Sequence, residues 1–301
     1  MKLLNEIIES VAEKNSRHGK KLNKVFNSLD ETYQIKAEAF FERYKTFAEK
    51  EGKDLNYGID CYLKMIGVMM HEQVEFLRTG EYSCKSFEDA NIAVYNNPNV
   101  MEYYMHGLLL SQFLWKHHYK LHEYFEETMQ KLKASGKIKN YLEIGGGHGL
   151  GISQSIKILG HDTGFTCVDI SKSSLEIAKS FVEDDKVKYV HSDVFEYEPS
   201  QKFDMISMGE VLEHVEDPVA LLKRLGYLLN DDGLAFITTP TNSPAIDHIY
   251  LFRNKNEIID VINKAGFEVI DEYTIYSEDV SEKKAIKFKV PMMYAGLIKK
   301  K

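Results

Sequence analysis

A doubly wound α/β sheet preceded by an all-helical region is the architecture this sequence predicts, and three observations predict it. From about residue 138 onward, short apolar runs alternate with amphipathic helical patterns, as in strands joined by crossover helices. Before residue 135 there is almost no strand signal and a single proline, Pro98. Between the apolar run 141–144 and the helical pattern that follows it stand Gly145, Gly146, Gly147, Gly149 and Gly151. Such a strand, glycine turn and helix lets backbone N–H groups approach a ligand with no Cβ atoms in the way.

In order, the predicted strands are 139–144, 165–168, 187–190, 203–208, 233–239, 267–276 and 286–298. Predicted helices are 149–159, 172–182, 218–229 and 255–264. The alternation gives a mostly parallel, seven-stranded sheet with helices on both faces. The last two strands follow each other without a helix, so they are expected to pair antiparallel at one edge. Ligands of such sheets bind beyond the carboxyl ends of the strands.

Residues 1–135 read as five to seven helices. The pattern at 57–77, with Tyr62, Leu63, Met65, Ile66, Val68, Met69, Val74 and Leu77, nearly encircles its axis and is expected at the centre of a bundle. Ser86 reads as an N-cap for 87–95, with Asp89 three positions on. Asn96-Asn97-Pro98 breaks the chain, and a long pattern from 100 to 133, divided near His117-His118, is rich in aromatics. Tyr103, Tyr104, Phe113, Trp115, Tyr119, Tyr124 and Phe125 can pack as core or roof a pocket. His106, His117, His118 and His122 lack the neighbouring acids or cysteines a metal would want. Residues 134–137 read as a hinge, dividing a helical lid, 1–135, from a ligand-binding domain, 136–301. The aromatic-rich helices fit a homodimer.

Hydrophobic residues make up 44% of the 301, enough for a globular core, and the formal charge of −8 argues against a nucleic-acid partner. A basic stretch from Lys14 to Lys24, including Arg17, Lys20 and Lys21, reads as a solvated helix face. Cys61, Cys84 and Cys167 are scattered, which fits a reducing compartment and no structural zinc. Residues 1–15 form an amphipathic helical pattern without a signal-peptide core, and no run approaches the ~18 apolar residues of a membrane span. The expectation is a cytoplasmic protein without a membrane partner.

The spacing Glu143-x-Gly145-x-Gly147-x-Gly149 places an acid two residues before the first glycine. Glu143 would repel a pyrophosphate at the helix N-terminus but suits an ammonium or sulfonium. The second strand leads to Asp169, placed for ribose hydroxyls, and the third to Asp193, near an adenine amino group. With these three acids in this strand order, the region 138–301 resembles the class I S-adenosylmethionine (SAM)-dependent methyltransferases, which are Rossmann-like. Their sheets also end in two helix-free strands. The resemblance implies that Glu143 with the backbone of Gly145 and Gly147 holds the amino-acid end, Asp169 the ribose, and Asp193 with Val194 the adenine. It extends the cofactor-contacting set to Gly149, Ile170, Gly209 and Glu210.

After the fourth strand comes Gly209-Glu210-Val211-Leu212-Glu213-His214, and Asp217-Pro218 then starts a helix as N-cap and first residue. After the fifth come Asp247 and His248. The Glu-x-x-Glu-His spacing with a later His resembles ubiquinone-biosynthesis O-methyltransferases and plant small-RNA 2′-O-methyltransferases. That resemblance implies Glu210, Glu213, His214 and His248 as ligands of a divalent metal, with Mn, Fe, Co or Zn suited better than Mg. A metal would lower the pKa of a bound acceptor hydroxyl. The residues leave three roles open for His214: metal ligand, metal-free general base, or structural group. Glu210 and Glu213 share the catalytic loop with it. His148, in the glycine loop, reads as a loop residue. The function expected is methyl transfer from SAM to a small-molecule oxygen. A peptide or carrier-bound acceptor and a non-catalytic SAM-binding scaffold are the alternatives.

Overall fold

The computed structural model describes residues 2–301. The helical region comprises α1 (Lys2–Lys14), α2 (Ser16–Phe26), α3 (Glu31–Lys50), α4 (Leu55–Thr79), α5 (Phe87–Ala90), α6 (Pro98–Leu114) and α7 (Lys116–Lys133). A π-helical turn, Asn91–Tyr95, continues α5. Capping explains most starts. Asp30, Asp54 and Ser86 each accept a hydrogen bond from the backbone N–H three residues on, and Asn97 does so ahead of Pro98. The long pattern divides at Trp115, whose extended backbone separates α6 from α7.

The centre of the bundle is α6 and not, as its periodicity suggests, α4. Helix α6 is buried around most of its circumference, while Met70, Val74 and Leu77 on α4 are exposed. Gly107 admits α4 closely, because a Cβ there would lie 2.9 Å from Met65 Sδ. Helix α7 turns its apolar side the other way. Phe125 and Met129 pack with Tyr141, Ile152 and Phe236 in a core of the sheet.

The sheet region runs β1 (Asn140–Ile144), α8 (Leu150–Leu159), β2 (Gly164–Asp169), α9 (Lys172–Val182), β3 (Lys188–His191) and β4 (Phe203–Gly209). A 3₁₀ turn at Leu212–His214 follows, then α10 (Pro218–Leu228), β5 (Leu229–Thr241), α11 (Lys255–Lys264), β6 (Phe267–Tyr276), α12 (Glu282–Lys287) and β7 (Met292–Lys300). Strand order is β3-β2-β1-β4-β5-β7-β6. Successive residues feed opposite faces: Tyr141, Met205, Phe236 and Leu297 join one core, Leu142, Ile206, Ile237 and Ile298 the other. Strand β7 is antiparallel to both neighbours, as its pairing with β6 predicts, but it lies one place in from the edge. The alternation from 285 to 290 mimics a strand, yet a short helix forms there and β7 begins only after Pro291.

The bundle sits on the carboxyl edge of the sheet. Phe181 of α9 packs in the bundle core, where Arg43 lies 4.0 Å over its ring and donates to its carbonyl. Among the described residues no helix is long and apolar enough to cross a membrane. Where α1 meets α2, a Cβ on Gly19 would overlap the Cα of Ala12. An unhindered Gly→Ala change in a helix gains about 1 kcal/mol; this backbone clash reverses the sign. Gly19→Ala is expected to lose about 1–3 kcal/mol, read as a lower urea midpoint, and a raised midpoint would contradict the crossing described.

Candidate active site

Strand register assembles the site. Ile144 pairs with Val168 on one side and Met208 on the other, so Gly145, Asp169 and Gly209 leave the sheet at one level. The chain reverses direction in strand order between β1 and β4, which opens a crevice at that level. A cavity of about 1360 Å³ occupies the crevice and continues up between the helices.

Gly145, Gly147 and Gly149 have φ of +67°, +50° and +78°, a region side chains rarely adopt. Glu143 is buried beneath the loop they form. Its carboxylate accepts from the N–H of Ile152 and, at 3.3 Å, from the Tyr141 hydroxyl. A Cβ on Gly151 would lie 2.9 Å from Glu143 Oε1. Burial pushes this carboxyl up to about 8. Asp169 binds the loop from the other side: Oδ2 accepts from Gly147 N–H at 3.0 Å and Oδ1 from Ser171 N–H at 2.8 Å. Burial raises its pKa as well. Ile170, Asp193, Val194 and Gly209 line the same cavity, and Asp193 Oδ1 accepts from Phe195 N–H. Of the expected cofactor set all but Gly149 line this one space; Gly149 instead turns toward α9, where a Cβ would lie 2.9 Å from Ala178 and Val182.

The loop after β4 is folded against β5. Glu210 adopts φ +55°, unusual for a residue with a side chain, and its N–H donates to Thr238 O at 3.0 Å. This conformation turns the carboxylate back to accept from Thr238 Oγ1 at 2.6 Å. Glu213 is fully buried, with Oε2 accepting from Thr239 Oγ1 and Oε1 left without a partner. Both imidazoles point at that orphan oxygen: His214 Nε2 and His248 Nε2 each lie 3.9 Å from it. His214 Nδ1 donates to Asp247 O at 2.9 Å and His248 Nδ1 to Ser243 O at 2.5 Å. A carbonyl can only accept, so each Nε2 presents a lone pair when the ring is neutral. Burial holds His248 down at about 4 and, with the neighbouring Glu210 charge, lifts Glu213 well above the usual carboxylate range.

Of the four expected metal ligands, Glu213, His214 and His248 thus converge, with donor atoms within 4.8 Å of one another. Glu210 stands outside that group because its backbone turns it toward Thr238. Three lone-pair atoms meeting in a buried place need a proton or a cation among them, so these residues fit a metal. The structure also adds two participants with no signal in the sequence. Tyr95, on the π-turn, brings its hydroxyl to 2.9 Å from His214 Nδ1, and Asp247 is buried with Oδ2 3.5 Å from the same atom. His148 accepts from Leu150 N–H within its own loop, as a loop residue would. The aromatic helices serve both suggested ends: Phe113 and Tyr119 are core, while Tyr104, Trp115 and Phe125 also line the cavity.

A methyltransferase-domain family model matches residues 115–272, just over half of the chain. The chain belongs to this family, and the acids and glycine loop described above make its sheet region a class I SAM-dependent methyltransferase domain. It is 33% identical over 106 residues to the ubiquinone biosynthesis O-methyltransferase of Coxiella burnetii (strain Dugway 5J108-111), which covers 34% of this chain and 44% of that one. The enzyme of the same name from Actinobacillus pleuropneumoniae serotype 5b (strain L20) is 30% identical over 116 residues, covering 36% and 48%. The chain therefore spans less than half the length of these curated relatives. The mitomycin 7-O-methyltransferase structure superposes with a TM-score of 0.52 at 14% identity, over 78% of this chain and 68% of that one, a likeness of fold.

Glu143 supplies a pH test. In the fold it keeps a proton that the unfolded chain gives up near 4.5. Its contribution is thus complete below about 4.5 and is lost as pH rises through about 8. Denaturation midpoints measured from pH 5 to 9 should fall less steeply in Glu143→Gln than in the native chain. Parallel curves would remove Glu143 as a buried acid.

Proposed function

We propose that this chain transfers the methyl group of SAM to an oxygen of a small-molecule acceptor bound between the helices and the sheet edge. The observation that carries the reading is the meeting of Glu213 Oε1, His214 Nε2 and His248 Nε2 beside the loops that line the cofactor crevice. The names of the two curated relatives, both O-methyltransferases, support oxygen as the acceptor atom.

SAM brings the methyl already activated on a sulfonium, so the protein's part is to position, to exclude water and to take a proton. The acceptor O–H gives its proton to His214 Nε2, the oxygen forms a bond to the methyl carbon, and the carbon–sulfur bond breaks to leave neutral adenosylhomocysteine. Asp247 O holds His214 in the tautomer that can accept this proton, and Tyr95 fixes the ring from the bundle side. A second reading is favoured by the orphaned Glu213 Oε1. Glu213, His214 and His248 would hold a divalent cation, which supplies acidity to a hydroxyl bound beside it. Residues 2–114 act as the roof in either case, a role we assign from their lining of the cavity. We also propose that the chain works in the cytoplasm and that a homodimer would form through the helical region.

Calorimetric titration with adenosylhomocysteine should show binding. Incubation with methyl-labelled SAM and cell extract should then label a small-molecule fraction. Label confined to protein would favour a peptide or carrier-bound acceptor, and binding with no label in any extract would favour a scaffold. His214→Ala should lower kcat by ~10²–10⁴-fold while leaving adenosylhomocysteine affinity intact. A loss under tenfold would leave His214 without a chemical part. Elemental analysis of protein purified without chelator separates the two readings: near one equivalent of Mn, Fe, Co or Zn, lost in Glu213→Gln, supports the cation. A metal-free protein of full activity supports His214 as base.

A further inference from the structure

The cavity carries a charge gradient that methyl transfer by itself does not require. At the sheet edge its walls hold Asp169, Asp193, Glu210 and Asp247, together with Glu143, which burial keeps protonated until a cation arrives. At the other end stand Arg17, Lys21 and Lys24 of α2 with Lys116 of α7, and among the described residues no other lysine or arginine lines it. Met69, Met101, Met105, Leu108 and Leu121 furnish an apolar stretch. His18 and His117 also face it, and burial keeps both well below the ordinary histidine range, so neither adds charge at neutral pH. The volume, about 1360 Å³, exceeds the ~300–1,000 Å³ of ordinary small-molecule sites. SAM at the sheet edge leaves room for a second, elongated molecule.

We infer that the acceptor is an elongated amphiphile with an anionic group, carboxylate or phosphate, at the end remote from the methylated oxygen. Its apolar body lies along α6 and α7, and its anion seats among Arg17, Lys21, Lys24 and Lys116. This rests on the methyl-transfer reading above. Two of the four cations already hold acids that line the same end, Glu278 on Lys21 and Asp279 on Lys116 at 2.8 Å, both from the segment between β6 and α12, so the uncompensated charge there is that of Arg17 and Lys24. Arg17 and Lys24 make no ion pair among the described residues and are exposed, which leaves them open to an incoming anion. The acid-lined end suits the cationic donor and repels that anion, so the gradient also fixes which way round the acceptor enters.

The test uses the full chain saturated with adenosylhomocysteine and the fluorescent probes cis-parinaric acid and its methyl ester. The acid should bind at least about fivefold more tightly than the ester, a modest preference because the cations are partly solvated. Arg17→Ala/Lys24→Ala should erase the preference while leaving ester binding and adenosylhomocysteine affinity unchanged. Displacement by dodecyl phosphate against dodecanoate identifies the better anion. Equal affinity for acid and ester, binding of neither, or a preference that survives both this variant and Lys21→Ala/Lys116→Ala would overturn the inference. Failure of the native chain to bind adenosylhomocysteine would instead overturn the methyl-transfer reading itself.

Discussion

A single carboxyl group, Glu143, lies wedged between the end of β1 and the first turn of α8, with the glycine loop folded over it. Burying an acid is costly unless it is hydrogen-bonded or neutral, and here both conditions are met: it accepts from Ile152 and Tyr141 and tends to keep its proton. The loop has no room for alternatives. A Cβ on Gly145 would strike Val211, one on Gly149 would come within 2.9 Å of Ala178, and one on Gly146 would overlap Cys167 Sγ. Only Gly151 is held to glycine by the acid itself, where a Cβ would lie 2.9 Å from Glu143 Oε1; the other three are held by their neighbours, and the crevice between β1 and β4 takes its shape from that fit. A cation arriving in the crevice changes the balance, because it favours the ionised form of the acid beneath the loop.

The roof meets the site at the glycine loop, the start of α9 and the loop after β4. Met105 of α6 faces Gly147, the Ser171 hydroxyl donates to Tyr95 O, and Tyr95 reaches His214. One π-turn therefore touches the start of α9 and the imidazole beside the expected methyl position. Burial on the other side of the bundle fastens it to α9 through Phe181. The helical region and the sheet share one cavity, and α7 belongs to the sheet core as much as to the roof.

Much of this was legible in the residues. The strand–helix alternation, the N-caps at Ser86 and Asp217, the glycine loop and the acids at strand ends are local signals, and the structure forms each where its local chemistry points. What the sequence hid depends on tertiary contact. Position of β7 inside β6 is decided by pairing partners far apart in the chain. Residues 285–290 alternate like a strand, but Ile286 and Phe288 are exposed and Pro291 cannot donate to a ladder. The apolar girdle of α4 suggests a central helix, yet packing against α6 buries only part of it. At the site, Glu-x-x-Glu-His spacing gives candidates but not directions, so Glu210's turn toward Thr238 was invisible. Tyr95 lies 119 positions from His214, and no local pattern joins them.

The π-turn at Asn91–Tyr95 holds one more residue in its hydrogen-bonded ring than an α-helix would. An added residue in a helix rotates everything beyond it by about 100°. From the end of this turn the Tyr95 hydroxyl reaches His214 and its carbonyl accepts from the Ser171 hydroxyl. The turn works as a vernier between two bodies of different periodicity, the bundle and the sheet. Gaining or losing one residue there would re-aim the ceiling over the reacting atoms at the expense of repacking Val94, which the same turn places in the bundle core.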